Sequence, residues 1–225
     1  MRDKVIAVST WLAAVLLAGN LAVMLLVFPD EAKQGPIFRI IFFHVPVAWT
    51  AFACFFAAMI ASILYLATKN LHYDAFASSV TEVGLAFGAA NLLTGMIWAR
   101  IIWGIWWTWD PRLTSMLVGW IIYAGYVMLR RAIEEPTERA KMAAVLSIFA
   151  FADVPIIFFS IKWWRTQHPQ PVVWGGGKMD PRYWYMLFGN WIPLLLLGVV
   201  LLLLRMRQEQ NERELDALRR EAHAF

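Results

Sequence analysis

The sequence predicts an all-α membrane protein, a bundle of six transmembrane helices. Of its 225 residues, 60% are hydrophobic and only 16% are charged, a composition that would be extreme for a soluble domain. The apolar residues also fall into six long runs, and a helix of about 20 apolar residues can cross a hydrocarbon layer about 30 Å thick. A membrane β-barrel would instead show segments of about ten residues with alternating hydrophobicity. These observations favour a helical bundle.

The six predicted spans are bounded by charged residues or by segments that contain proline or glycine. They are residues 5–28, 40–67, 79–101, 114–130, 141–161 and 184–204, of which the fourth is the shortest. We expect the first run to remain as a span and not to be removed as a signal peptide. Its apolar stretch exceeds the usual length, and no small-residue cleavage site closes it before Phe28. Residues 1–204 are therefore predicted to form a single transmembrane domain.

The fifth predicted span contains a carboxylate, Asp153, followed closely by Pro155. A charged side chain at bilayer depth is costly, so such a residue by default indicates a function. A protonated or hydrogen-bonded aspartate at a proline kink explains the pattern equally well. The sequence leaves both interpretations open.

The segment after the last span, residues 205–225, carries mixed charges, with Leu215, Leu218 and Ala222 on one stripe of a helix. It is predicted to be a solvated, charged helical tail in the cytoplasm. With both termini in the cytoplasm, the cytoplasmic side receives more lysine and arginine than the outer side, in agreement with the positive-inside rule. The excess is small because several bases lie outside beside aromatic residues, where they could meet an anionic ligand.

The loop between the third and fourth predicted spans is very rich in tryptophan. Its sequence WGIWWTWDPRLTS, residues 103–115, contains Trp103, Trp106, Trp107, Trp109, Asp110 and Arg112. An aromatic belt at the membrane surface needs only one or two tryptophans per helix end, so anchoring alone does not explain this density. If the stretch is helical, its first three tryptophans and Asp110 share one face. That face would offer a broad aromatic platform to a flat, apolar ligand.

Two of the four histidines lie on the same side of the membrane as the tryptophan stretch. His44 occurs in FFHVPVAW at the outer end of the second span, and His168 occurs in KWWRTQHPQP beyond the fifth. His72 and His223 fall on the opposite side and are interpreted as solvated. Imidazole is a common axial ligand of haem iron, and two imidazoles from separate elements could hold the iron between them. An isolated histidine is more often a hydrogen-bonded interfacial residue, but a pair flanked by aromatic and basic residues favours ligation.

Haem also suits the tryptophan stretch, because it is flat and its propionates attract cations. Arginine can clamp a carboxylate with two parallel hydrogen bonds. Asp110 could instead orient an arginine or fix a loop turn with Pro111. The candidate arginines are Arg100, Arg112, Arg165 and Arg182.

Several other kinds of chemistry are excluded by what the sequence lacks. With Cys54 as the single cysteine, the chain has no CxxCH haem-attachment site and no CxxC redox pair. It has no Gly-rich phosphate loop or nucleotide-binding motif, so ATP-driven work would need a partner. We expect no nucleic-acid partner, and we expect contacts with membrane lipid.

Three segments resemble a known family of haem-handling membrane proteins. WGIWWTWDPRLTS resembles the tryptophan-rich WWD signature of these proteins, and its RLTS ending resembles the cytochrome c maturation protein C branch. FFHVPVAW and SIKWWRTQHP resemble the two histidine segments of that family, in the same order. The resemblance covers most of residues 36 to 190.

The resemblance implies a function and a set of partners. It implies that His44 and His168 are the axial ligands of a non-covalently bound haem b. It also implies that the tryptophan stretch faces the periplasm, and that the protein lies in the bacterial inner membrane. The haem would be presented, without catalysis by this chain, to a membrane-anchored haem chaperone during c-type cytochrome biogenesis. The implied partners are that chaperone, a small single-span subunit and the subunits of an ABC transporter.

Three alternative functions stay open at this point. A cytochrome c haem lyase would need more spans and more intramembrane histidines than this chain offers. A redox subunit with bis-histidine haem would place its ligands at bilayer depth on facing helices. A transporter that carries haem across the bilayer would need a polar pathway, and the central spans offer little beyond Asn91, Thr94 and Asp153.

Overall fold

The computed structural model describes residues 2–169 and 180–222, and within them it contains helices and loops but no β-strand. Within these residues, six helical units are long and apolar enough to cross a membrane, which confirms the predicted bundle. The fifth unit consists of α5 and α6. The helices are α1 (Arg2–Ala22), α2 (Ile41–Thr68), α3 (Leu71–Ile102), α4 (Pro111–Ala132), α5 (Pro136–Phe151), α6 (Asp153–Trp163) and α7 (Pro181–Ala222).

Side-chain caps fix where several helices begin. The Asn70 side chain accepts a hydrogen bond from the His72 amide, so α3 begins at Leu71, well before the predicted start of that span. At the start of α5, the Glu135 carboxylate accepts from the Thr137 and Glu138 amides, and Pro136 occupies the first helical position. Asp110 and Pro111 begin α4 in the same way.

The fifth span is broken at Ala152, between α5 and α6. Pro155 has no amide hydrogen to donate to the carbonyl one turn earlier, so the helix cannot continue regularly through this point. Asp153 is buried just after the break, against Gly119 of α4. Its Oδ2 atom has no hydrogen-bond partner among the described residues. A side chain at position 119 would collide with this carboxyl group, so the close contact of α4 with α6 requires glycine there.

The centre of the bundle is a continuous apolar core around α2. This helix packs against α3, α5 and α7, while α1 packs mainly on α7 and exposes most of its large apolar side chains, as a lipid-facing helix does. In the middle of the core, the ring of Phe55 stacks on that of Tyr123 with centroids 3.8 Å apart. The core therefore fills the bundle at mid-depth.

The C-terminal tail was expected to be solvated, but its first part contacts the bundle. Helix α7 runs without a break from Pro181 to Ala222, and Arg205, Glu209 and Arg213 lie one turn apart along it. Arg205 pairs with Glu82 of α3 at 2.7 Å, and Arg213 pairs with Asp74 of α3 at 2.7 Å. The first part of the tail is thus held against the bundle by ion pairs. Leu215 and Leu218 are exposed, and His223 lies outside the described residues.

Asp74 is the acceptor at the centre of this ion-pair cluster, and its removal should destabilise the fold. It is 3% exposed and accepts from Arg130 at 2.5 Å and from Arg213 at 2.7 Å. Asp74→Ala leaves both guanidinium groups without this carboxylate, and breaking a buried pair typically costs about 3–5 kcal/mol. Chemical unfolding of the purified protein in detergent measures the loss. The control is Asp216→Ala, which removes an exposed ion pair with Arg219 and should cost at most about 1 kcal/mol. Equal losses in the two variants would contradict this prediction.

Candidate functional site

A cavity opens at the end of the bundle opposite the tail. Its walls come from α2, α3, α4 and α6, from the tryptophan stretch and from the loop after α6, and they are mainly apolar and aromatic. The space open to the centres of water molecules is about 240 Å³, whereas one buried water needs about 10–15 Å³ on this measure. The cavity can therefore hold a ligand much larger than a few water molecules. His44 and His168 both line it.

His44 is held by polar side chains of α3. Its Nδ1 atom lies 2.9 Å from the Thr94 hydroxyl, and that hydroxyl donates to the Ala90 carbonyl at 2.8 Å. With its hydrogen on that carbonyl, the Thr94 oxygen is able to accept from Nδ1–H. The unprotonated nitrogen of His44 is then Nε2. The Asn91 amide donates to the His44 carbonyl at 3.0 Å and lies 3.3 Å from both ring nitrogens.

His168 has the same arrangement of protons, although it lies on a loop. Its Nδ1–H donates to the Pro169 carbonyl at 2.8 Å, which again leaves Nε2 unprotonated. The pKa of His168 is lowered to about 4, first because burial separates the ring from water and then because of the positive charge of Arg112. The imidazole is therefore neutral near pH 7. A neutral ring with a free Nε2 is the form that binds a metal.

Arg112 is the one charged residue among the described residues that line the cavity. Its Nη1 donates to the Ile157 carbonyl, and its guanidinium carbon lies 5.6 Å from the centre of the Phe158 ring. These contacts hold the guanidinium beside the two histidines. The structure does not bring the other candidate arginines into the cavity. Arg100 donates to the Gly104 carbonyl, Arg182 pairs with Asp180 at 2.7 Å, and Arg165 is exposed.

The tryptophan stretch is not a helix, so the condition under which its tryptophans would share one helical face is not met. Helix α3 ends at Ile102, and Gly104 adopts a φ of 79°, a conformation that ends a right-handed helix. The irregular backbone divides the tryptophans into two sets. Trp103 and Trp107 line the cavity together with Trp98, whereas Trp106 and Trp109 are 55% and 77% exposed.

Asp110 lies behind the cavity wall and is not among the residues that line it. Its carboxylate caps α4 by accepting from the Arg112 amide at 2.9 Å. It also accepts from the Thr166 hydroxyl at 2.7 Å and from the Gln167 amide at 2.8 Å. Of the two alternatives raised for this residue, fixing a loop fits these contacts better than orienting an arginine side chain.

Sequence reasoning missed the part that α3 plays at the site. Asn91, Thr94, Gly95 and Trp98 have i, i+3, i+4, i+7 spacing and form one face of α3 beside His44. This pattern was visible in the sequence as polar and small residues in an otherwise apolar span. The Trp98 indole also donates to Gln34 at 2.9 Å and lies near the His168 ring, with centroids 6.4 Å apart.

The donor set fits haem better than a bare metal ion. Within residues 2–169 and 180–222, no group of three or more histidine, cysteine, aspartate or glutamate side chains could hold a metal. Haem iron already has four porphyrin nitrogens, so two imidazoles complete its coordination. The cavity offers those imidazoles, aromatic walls and one cation.

Comparison with known proteins gives one consistent result. The family model described as heme exporter protein C matches residues 1–221. Heme exporter protein C of Bradyrhizobium diazoefficiens is 38% identical over 213 residues, which cover 92% of this chain and 81% of that protein. The protein of the same name from Paracoccus denitrificans is 34% identical over 194 residues, with coverages of 84% and 80%. That from Escherichia coli strain K12 is 31% identical over 183 residues, with coverages of 80% and 73%.

Proposed function

The chain belongs to the heme exporter protein C family, and on that premise we propose that it holds haem b non-covalently between His44 and His168 and presents it for loading onto a haem chaperone. Members of this family are haem-handling membrane components of cytochrome c maturation, and this chain is accordingly a multi-pass protein of the bacterial inner membrane. The observation that carries the proposal is the pair of histidines on one aromatic cavity, each with a hydrogen-bond partner at Nδ1 that leaves Nε2 as the unprotonated nitrogen.

The hydrogen bonds at Nδ1 support ligation by Nε2. A histidine that binds a metal almost always donates its other ring N–H to a fixed acceptor, which sets the tautomer and the ring orientation. Thr94 is that acceptor for His44, and the Pro169 carbonyl is that acceptor for His168. With these bonds in place, His44 and His168 would hold the haem iron through their Nε2 atoms.

The remaining walls suit the rest of the haem molecule. Trp103 and Trp107 offer flat apolar surfaces to the porphyrin, and Arg112 offers a guanidinium to a propionate. The exposed indoles of Trp106 and Trp109 are placed to contact a partner, and we assign the docking of the chaperone to them. The small single-span subunit and the ABC transporter subunits complete the assembly that we propose.

We propose that both termini lie in the cytoplasm. Six spans would bring both termini to the tail end, opposite the histidines. The positive-inside rule then puts the basic tail end in the cytoplasm and the cavity at the periplasmic face. Haem would enter from the periplasmic side or from the outer leaflet, because the packed core, with Phe55 stacked on Tyr123, lies between the cavity and the cytoplasm.

The alternative functions have less support from the geometry. A haem transporter would have to open the core at mid-depth. A redox subunit that passes electrons across the membrane would need ligands deeper than His44 and His168. A lyase would need recognition of apocytochrome as well, and we propose that this chain binds haem without transforming it.

Gly95 gives a conservative test of the His44 position. A methyl group at residue 95 would lie 3.2 Å from His44 Cε1, closer than most real contacts, so Gly95→Ala should push the ring away from its ligating orientation. We expect haem retention to fall by about tenfold, within the 10–100-fold typical of residues that support a ligand. The matched control is Gly125→Ala in α4, where an added methyl meets nothing within 4 Å. Haem content per purified protein measures the effect, and an equal content in both variants would contradict the expected role of the His44 orientation.

A direct test uses the absorption spectrum of protein purified with its chaperone co-expressed. Wild type is expected to carry haem with two nitrogen ligands, and transfer to the chaperone is expected to deplete it. If haem is bound but does not move to the chaperone, binding would stand and presentation would be wrong.

A further inference from the structure

We propose that Thr166 and Asp110 are positioning residues, which hold the His168 loop on the start of α4 so that the imidazole faces His44. This inference rests on the proposed function of His168 as a ligand. Neither residue lines the cavity, so both act through His168 and not by contact with the bound group.

The Asp110 carboxylate bonds to more than the start of α4. An aspartate that only caps a helix accepts from one or two amides of the first turn. Asp110 makes that bond to the Arg112 amide but directs its remaining capacity to a loop 56 residues further along the chain. The Thr166 hydroxyl lies 2.9 Å and 2.7 Å from its two oxygens, and the Gln167 amide lies 2.8 Å from Oδ2. The carboxylate is 7% exposed, so these bonds are largely shielded from water.

Thr166 connects Asp110 with His168 through hydrogen bonds. Its hydroxyl hydrogen is donated to Asp110, and its oxygen accepts from the His168 amide at 2.9 Å. One side chain therefore connects the cap of α4 with the backbone of the candidate ligand. A hydroxyl can both donate and accept through its one oxygen, whereas the methyl group that valine has in its place can do neither.

The loop that carries His168 follows directly after α6. Helix α6 ends at Trp163, and residues 164–168 continue without helical structure. Between the end of α6 and His168, the side-chain hydrogen bonds that join the described loop to another part of the fold are those to Asp110. The imidazole ring of His168 donates to the neighbouring Pro169 carbonyl, which belongs to the same loop. The orientation of its ring thus depends on the Asp110–Thr166 bonds, whereas His44 is carried by a long helix.

The test compares Thr166→Val, which keeps the shape but removes the hydroxyl, with Thr166→Ser, which keeps the hydroxyl. The readout is the ferric haem spectrum of the full-length protein with and without added imidazole. Thr166→Val is expected to show partial loss of one axial imidazole and about tenfold weaker haem retention. Added imidazole should restore the two-imidazole spectrum, because only the orientation of His168 is lost. Thr166→Ser should match wild type, as should the control Thr10→Val, which removes an exposed hydroxyl in α1.

His168→Ala separates this inference from the function on which it rests. If His168→Ala leaves the spectrum unchanged, His168 is not a ligand and the proposed site is wrong. If His168→Ala removes one imidazole while Thr166→Val does not, the site stands and the positioning role is overturned. Loss of haem in Thr166→Val that added imidazole does not restore would also overturn it, since that result indicates general damage to the fold. Asp110→Asn provides a second variant, which should resemble Thr166→Val and respond to imidazole.

Discussion

His44→Ala should convert bound haem from two imidazole ligands to one and lower haem retention by at least about 100-fold. This exceeds the 10–100-fold loss typical of outer-shell residues, because the variant removes a ligand itself. The site cannot supply a replacement, since the neighbouring Asn91 and Thr94 are already bonded to the backbone of their own or an adjacent helix. Optical spectra of the ferric and ferrous forms, with haem content per protein, measure both effects.

His72→Ala is the matched control for this prediction. His72 is exposed at the tail end of the bundle, and its imidazole is far from the cavity, so its loss should change neither the spectrum nor the haem content. His168→Ala should also remove one imidazole. Unchanged ligation in both His44→Ala and His168→Ala would show that the two residues are ordinary interfacial histidines.

The second large effect concerns the division of the tryptophans into two sets. Replacing Trp103 and Trp107 together by alanine should reduce haem retention by about tenfold or more, because each aromatic contact contributes about 0.5–1.5 kcal/mol beyond its buried area. Replacing Trp106 and Trp109 together should leave haem retention near wild type and instead slow transfer to the chaperone. Haem content and the rate of transfer to added chaperone distinguish these outcomes.

A phenylalanine pair at positions 103 and 107 controls for loss of fold. It keeps aromatic surfaces in the cavity wall, so it should retain more haem than the alanine pair. If the exposed pair loses as much haem as the cavity-lining pair, the division of roles by exposure is wrong, and the stretch acts as one unit.

Much of the fold could be predicted because membrane spans follow from the length and composition of apolar runs. In lipid, the backbone N–H and C=O groups of the six apolar runs have no water to bond with. Each run therefore forms a helix, in which these groups bond to one another. The break beside Asp153 was also foreseeable, because Pro155 cannot donate an amide hydrogen bond. The ion pairs of the tail were not, because they depend on which face of α7 meets Asp74 and Glu82 of a helix that is distant in sequence.

The candidate site could also be predicted only in part from the sequence. The two histidines and Arg112 stood out from the sequence as polar groups beside aromatic residues, and the structure brings them to one cavity. The tryptophans would share a helical face only if the stretch were helical, and it is not, because Gly104 redirects the chain after α3. The contact between Asp110 and Thr166 joins two loops through tertiary structure, so no local pattern could reveal it.

The central claim is that both histidines bind one haem in this cavity. The most direct measurement is near-infrared magnetic circular dichroism of ferric haem in the purified wild-type protein, because the charge-transfer band reports the pair of axial ligands. We predict the band of two neutral imidazoles. A band that indicates a single imidazole, or a ligand pair without imidazole, would contradict the account.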